Sequence, residues 1–154
     1  PALVGGQTLE QYDGATDMAR IPLFVKEGAI VPLHVDNELT GLGSAASADM
    51  LTVLVYPSSQ ESRFPLIETD ESATQITQRE NDTSLTISFS RLLAATMVIV
   101  QLDAAPSAVS AGSAQASMAA LESAAEGWVF ETETKRLWVK LPANSAAQEL
   151  IVQR

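Results

Sequence analysis

The stretch IPLFVKEGAIVPL, residues Ile21–Leu33, contains two short apolar runs separated by residues 26–28 (KEG). A three-residue connection that ends in glycine is typical of a β-hairpin, because glycine readily adopts the positive φ that such a connection needs. Pro22 and Pro32 lie near the outer ends of the two runs, where a missing N–H costs least. Neither run alternates with polar residues, so both faces of the predicted hairpin must be covered by other protein.

The composition is that of a globular protein and excludes several classes of partner. The 154 residues are 46% hydrophobic and 18% charged, which is enough apolar material for one domain, or for one domain with an appended piece. Nine basic and 19 acidic residues give a net charge of −10. Such an acidic surface repels the phosphates of nucleic acids and the surface of anionic membranes. No apolar run approaches the ~20 residues that a membrane span requires. We therefore expect neither a nucleic acid nor a membrane as partner.

The residues that usually carry catalysis or bind metals are scarce. The chain has no cysteine, which excludes disulfides and thiol nucleophiles, and His34 is its sole histidine. There is no G-x-S-x-G motif and no glycine-rich phosphate loop. We therefore expect no catalytic residue, no cofactor and no metal. Calcium bound by carboxylates at residues 36–38 or 68–71 remains an alternative, although the spacing is not that of an EF-hand.

Short apolar runs bounded by turn residues dominate the rest of the chain. This pattern predicts strands over residues 51–56, 63–68, 75–79, 85–90, 97–102, 128–131, 137–141 and 149–153. In the Ala- and Ser-rich segment 103–127, Met118, Leu121 and Ala125 are spaced for one face of a short helix, which Gly127 could end. The sequence thus predicts an all-β protein, an antiparallel β-sandwich with at most one short helix in the Ala/Ser-rich segment.

Several segments resemble one family in the same order along the chain. The stretch IPLFVKEGAIVPL resembles the "iP-x-f-v-r-x-G-a-i-i-P" hairpin that follows the catalytic barrel in glycoside hydrolase family 31 (GH31). Residues 5–8 (GGQT) resemble the "G-G-x-t" strand before that hairpin. Residues 51–57 (LTVLVYP) resemble the "l-x-l-x-v-y-p" start of the distal β-sandwich, and residues 127–141 are similar to the last hairpin, "g-W-x-y-d-x-x-t-k-x-L-x-V-k-l".

One segment departs from the family pattern. Residues 64–74 (FPLIETDESAT) resemble the stretch "f-x-l-y-e-D-d-G-x-t". Ile67 stands where tyrosine is usual, and residues 71–73 (ESA) replace the usual acidic-Gly turn. Whatever that turn does in relatives does not carry over to this chain.

The resemblance implies a C-terminal fragment without the catalytic barrel. On this interpretation residues 1–47 are the end of a proximal β-domain and a linker, and residues 48–154 are the distal β-sandwich. The barrel, whose two aspartates act as nucleophile and acid/base in the family, would lie upstream. The implied function is non-catalytic support of the barrel of an α-glucosidase or α-xylosidase. Without that partner, the hairpin Ile21–Leu33 would be covered by self-association or by residues 34–49.

Two alternative functions start from particular side chains. A carbohydrate-binding module would use Trp138, which shares one face of its predicted strand with Lys140 and could stack on a saccharide. We expect instead that residues 104–125 or the barrel cover this tryptophan. A small hydrolase would use His34 or the carboxylates of residues 68–71 (Glu68, Asp70 and Glu71). We expect a surface histidine and a solvated turn there.

Overall fold

The computed structural model describes residues 24–154, which form two five-stranded sheets packed face to face. Sheet A contains, in spatial order, β1 (Ile30–His34), β2 (Leu51–Val55), β6 (Thr96–Gln101), β9 (Arg136–Leu141) and β8 (Gly127–Glu131). Sheet B contains β3 (Ser62–Ile67), β4 (Ala73–Glu80), β5 (Ser84–Phe89), β10 (Gln148–Gln153) and β7 (Ala108–Val109). The predicted all-β sandwich is confirmed.

All neighbouring strands in the described sheets are antiparallel except β2 and β6. After β2 the chain crosses to sheet B and makes three antiparallel strands, β3 to β5. These three strands alternate in direction. The chain therefore finishes β5 at the same end of the sandwich at which β2 began. Strand β6 therefore runs in the same direction as β2, and the two sheets of the predicted antiparallel sandwich are mostly antiparallel with this one parallel pair.

The main core lies between the two sheets and is made by alternate residues of the strands. Its buried members are Ile30, Val53, Val55, Ile76, Leu85, Ile87, Phe89, Leu92, Val98, Val100, Leu102, Ala111, Leu137, Val139, Leu141, Leu150 and Val152. Phe64, Leu66, Trp128 and Phe130 pack against this cluster and are partly buried.

A second core lies on the outer face of sheet A. Met97, Ile99 and Trp138 project from β6 and β9 on the side away from sheet B, and they pack with Met50 and Leu121. Residues 36–50, which include the 3-10 turn Ala45–Ser47, and helix α1 (Met118–Ser123) lie over this face. We call these two segments the cover layer. Their presence explains why the central strand β6 is apolar on both faces, with burial at every position from 96 to 100.

The short helix in the Ala/Ser-rich segment is confirmed, but it ends before Gly127. Ser117 caps the start, where its Oγ accepts a hydrogen bond from the backbone N–H of Ala120 at 3.2 Å. Gly127 is instead the first residue of β8, at φ +148°. A Cβ there would lie 2.9 Å from Gln115 Nε2 and from the Ser113 carbonyl oxygen, so close approach of the backbone is the reason for glycine.

The eight predicted strands are present, each with ends within two residues of the prediction. The sequence did not reveal β7, which has two residues in the Ala/Ser-rich segment.

The predicted hairpin Ile21–Leu33 lies partly outside the described residues, and its second half is described. The second apolar run becomes β1, but its partner is β2, in the register Ile30↔Val55 to His34↔Leu51. Phe24 and Val25 are exposed and belong to no strand, and residues 21–23 lie outside the described part of the chain. Residues 36–50 cover sheet A rather than this hairpin. The domain division at residue 47 stays a prediction, although β1, which precedes it, belongs to sheet A.

Candidate functional site

The main concave feature found in residues 24–154 is an open apolar groove of about 530 Å³. It lies where β1 ends and β2 begins. Its lining residues are Pro32, Leu33, His34, Ala48, Asp49, Met50, Leu51, Leu66 and Ala94. A smaller hollow of about 80 Å³ shares Leu51, Leu66 and Ala94 with it and adds Leu93 and Arg91. No Phe, Tyr or Trp side chain lines either hollow, so neither offers the large aromatic face on which sugars stack.

The groove belongs to one side of the sandwich, where the edge strands β1 and β3 lie next to each other. We call this side the β1/β3 flank. It comprises β1, β3, residues 24–28 before β1, and residues 92–94 after β5. Four large apolar side chains are exposed on it, namely Phe24, Val25, Ile67 and Leu93.

A buried polar network holds the start of β1 against β3 and β4. Ser62 Oγ donates to the Gly28 carbonyl oxygen at 2.6 Å, and Gln78 Nε2 donates to Ser62 Oγ at 2.9 Å. Gln78 Oε1 accepts from the Ser58 N–H at 3.2 Å, so the amide of this buried side chain is satisfied at both ends. Gly28 has φ +80°, as its place at the end of the KEG connection predicts. The network fixes where the chain enters the sandwich.

His34 is the last residue of β1 and lies exposed at the rim of the groove. No hydrogen bond joins its side chain to another described residue, and within residues 24–154 no carboxylate orients its imidazole as a hydrolase triad would need. The structure therefore gives His34 a surface position.

The acidic group Glu68, Asp70 and Glu71 forms the turn between β3 and β4. Glu68 Oε1 accepts a hydrogen bond from Thr74 Oγ1 at 2.6 Å, and Asp70 Oδ1 accepts one from the Ser72 N–H at 3.0 Å. Ser72 Oγ donates to Asp70 and accepts from Arg91. The hydrogen bonds to Glu68 and Asp70 close the turn rather than frame a substrate.

The same contacts lower the pKa of Asp70. The hydrogen bonds from the Ser72 hydroxyl and backbone N–H hold this pKa below its ordinary value of 3.8, and the charge of Arg91 acts in the same direction. A general acid needs a raised pKa, whereas the pKa of Asp70 is lowered, so its environment does not suit that role.

Trp138 is only 3% exposed, so it offers no face to a saccharide. Leu121 and Met118 of α1 pack over its ring, and its Nε1 donates to Glu131 Oε2 at 3.0 Å. Lys140, on the same face of β9, donates through Nζ to the Glu122 carbonyl oxygen of the helix at 2.6 Å. Helix α1 of the Ala/Ser-rich segment thus lies over Trp138, and carbohydrate contact at this residue stays a prediction.

The calcium alternative also lacks a site in the part of the chain that the structure describes. No group of three or more His, Cys, Asp or Glu side chains there could hold a metal ion. In residues 36–38, Asn37 Nδ2 donates to Asp36 Oδ1 at 2.6 Å, and Asn37 Oδ1 accepts from the Leu39 N–H.

Among the helices of residues 24–154, none is long and apolar enough to span a bilayer.

Comparison with known proteins finds this fold in parts of large carbohydrate-active enzymes. No family model matches the chain. A 1,6-alpha-glucosyltransferase of Sporosarcina globispora is 28% identical over 174 residues, which cover 97% of this chain and 13% of that protein. The cycloalternan-forming enzyme of Listeria monocytogenes, solved with a pentasaccharide substrate, matches with a TM-score of 0.73 and 22% identity over 83% of this chain and 13% of the enzyme.

A GH31 dextranase of Flavobacterium johnsoniae, solved with glucose, matches with a TM-score of 0.67 and 15% identity, over 84% of this chain and 19% of the enzyme. The chain therefore has the fold of a small β-sandwich portion of GH31 enzymes, and it spans only 13–19% of the length of these relatives. The resemblance seen in the sequence is confirmed at the level of the fold.

Sequence reasoning missed the groove and the Gly28–Ser62–Gln78 network. A buried glutamine in a strand has no sequence signal of its own. The groove combines residues from four separate segments that only the fold brings together. Arg91, at the end of β5, likewise reaches the acidic turn across 19 residues of sequence.

Proposed function

We propose that this chain is the non-catalytic C-terminal β-sandwich region of a GH31 α-glycosidase and that it supports the catalytic barrel of its parent. One observation carries the proposal: the fold matches GH31 enzymes over more than four fifths of this chain but less than a fifth of theirs. The missing four fifths has room for a catalytic barrel. The described residues form a sandwich and contain no part of a (β/α)8 barrel.

The chemistry of the described side chains agrees with a supporting role. Hydrolysis of a glycosidic bond needs two carboxylates that face the bond at a controlled separation. In the acidic turn, Glu68 and Asp70 accept hydrogen bonds from neighbouring residues of the same turn, and Trp138 is buried. In the domain order that the sequence resemblance implies, the barrel would lie upstream of Pro1 and residues 1–47 would be the end of the proximal domain.

Expression of the upstream reading frame with and without these 154 residues tests the proposal. We expect the frame to encode a barrel with a family 31 nucleophile and acid/base pair. The intact protein should hydrolyse α-glucosides, and the 154-residue chain alone should not. Removal of the chain should lower the melting temperature or the soluble yield of the barrel, because an apolar surface that it covers becomes exposed. A frame without a barrel, or a barrel that is indifferent to the deletion, would falsify the proposal.

A further inference from the structure

Exposed apolar residues are distributed unevenly over the described surface. Five large hydrophobic side chains are exposed, and four of them lie on the β1/β3 flank: Phe24 (60%), Val25 (40%), Ile67 (66%) and Leu93 (53%). The groove, which lies at the Ile67 and Leu93 end of this flank, is lined mainly by aliphatic residues. The opposite flank, formed by β7 and β8, exposes no large hydrophobic residue within residues 24–154. Large exposed apolar side chains beside an apolar groove are typical of an interface with other protein.

The flank is also where the preceding chain enters the sandwich. The hydrogen bonds from Ser62 and Gln78 hold the Gly28 turn between β1 and β3. Residues 24–27 therefore lie on this flank, where Phe24 and Val25 expose apolar side chains. A body that precedes this chain in the same polypeptide would thus be linked to the sandwich at this flank.

One proline in each of the two edge strands disfavours contact by strand addition. The N–H of Tyr56 donates to the Ala29 carbonyl oxygen, so the pair 29↔56 is hydrogen-bonded and the alternation makes Pro32↔Val53 a non-hydrogen-bonded pair. Pro32 thus lacks an N–H where β1 would present one outward. The bond from the Glu68 N–H to the Ser72 carbonyl oxygen places Pro65 of β3 in the equivalent position. A partner that packs against side chains is therefore favoured over one that adds a strand.

Arg91 and Asp70, which border this flank, have hydrogen-bond partners. Arg91 donates to Ser72 and Thr74, and Ser72 in turn donates to Asp70. Covering a charge that has hydrogen-bond partners costs far less than covering an isolated one. The groove lining contains no Phe, Tyr or Trp, which favours an aliphatic protein surface over a saccharide.

We propose that the β1/β3 flank is the surface on which the upstream part of the same polypeptide packs, with Ile67, Leu93 and the groove as its centre. This inference rests on the proposed function and adds the interface to it. Leu39 provides a matched control. It is 93% exposed, but it lies in the cover layer, where the neighbouring Gly41 accepts a hydrogen bond from Arg136 at the other end of sheet A.

Hydroxyl-radical footprinting of the intact parent and of the 154-residue chain tests the proposal. We expect Ile67 and Leu93 to be several-fold less reactive in the parent, with Leu39 equally reactive in both. The variants Ile67→Glu and Leu93→Glu should leave the melting temperature of the isolated chain unchanged and lower that of the parent. Leu39→Glu should change neither.

The outcomes separate this proposal from the proposed function. Protection in the parent on the β7/β8 flank, with Ile67 and Leu93 still reactive, would overturn the interface and leave the supporting role intact. The absence of protection anywhere, with a barrel that does not need the chain, would overturn both. Footprinting needs no variant, so it decides even if a glutamate variant fails to fold.

Discussion

Glu71 occupies a backbone position that favours glycine. Its φ is +64°, in the turn where the GH31 pattern has an acidic-Gly sequence. A residue with a Cβ pays roughly 1–2 kcal/mol in this left-handed region. The departure from the family pattern thus has a local cost, and the hydrogen bond from the Glu71 N–H to the Glu68 carbonyl oxygen at 3.1 Å keeps the turn closed.

Replacement of this residue should reveal that cost. We expect Glu71→Gly to raise the free energy of unfolding by roughly 0.5 kcal/mol, since relief of the strain exceeds the extra entropy of glycine in the unfolded chain. Glu71→Val should lower it by about 1 kcal/mol, because β-branched residues tolerate positive φ least. Urea unfolding measures both. Glu133→Gly, at an exposed turn position without positive φ, is the control and should only destabilise. A lower free energy of unfolding for Glu71→Gly would contradict the claim that the backbone is strained at this position.

At the scale of elements, alternation and turn residues located eight strands because each depends on local sequence. The same reasoning did not reveal the described partner of β1. Two apolar runs around a glycine predicted a hairpin over Ile21–Leu33, whereas the described partner of β1 is β2, which begins 17 residues after β1 ends. Strand pairing depends on which apolar face is left to be covered in the folded sheet, and a local pattern does not contain that information.

The prolines of the two edge strands should act against self-association. Pro32→Thr and Pro65→Thr together restore an outward N–H to β1 and to β3. We expect this double variant to associate with rising concentration in sedimentation experiments, because each edge then offers an unbroken row of donors. Each change should also lower the free energy of unfolding by about 0.4–1 kcal/mol, because the unfolded chain has more conformational freedom with threonine than with proline.

Pro142→Thr is the matched control for the proline variants, because Pro142 follows β9 and belongs to no strand. It should show a similar small loss of stability without association. If the double variant and the control sediment alike at every concentration, the prolines do not protect these edges.

At the scale of the whole molecule, two cores of different kinds share sheet A. Leu150 lies in the core between the sheets, and Leu121 anchors the cover layer over Trp138; both are fully buried. Helix α1 has six residues, and Leu121 is its one buried residue. We therefore expect the cover layer to open locally, below the energy of global unfolding.

Matched substitutions in the two cores should separate local from global opening. Leu121→Ala and Leu150→Ala should each cost about 2–5 kcal/mol at their own site. In native-state hydrogen exchange, Leu121→Ala should release amides of α1 and residues 42–50 while β5 and β10 stay protected. In a Trp128→Phe background, it should also shift Trp138 emission to the red. Leu150→Ala should lower amide protection throughout the sandwich. A uniform loss of amide protection in Leu121→Ala would instead indicate a single cooperative core.

The sequence by itself determined the all-β class, the strand positions, the short helix and the likeness to GH31, because alternation, turn residues and short motifs act over a few residues. The tertiary structure alone decided that β1 pairs with β2, that β2 and β6 are parallel, that Trp138 is covered and that Glu68 and Asp70 close a turn. It also decided that the exposed apolar residues gather on one flank. These features depend on contacts between residues far apart in the chain, which form only when the whole sandwich closes.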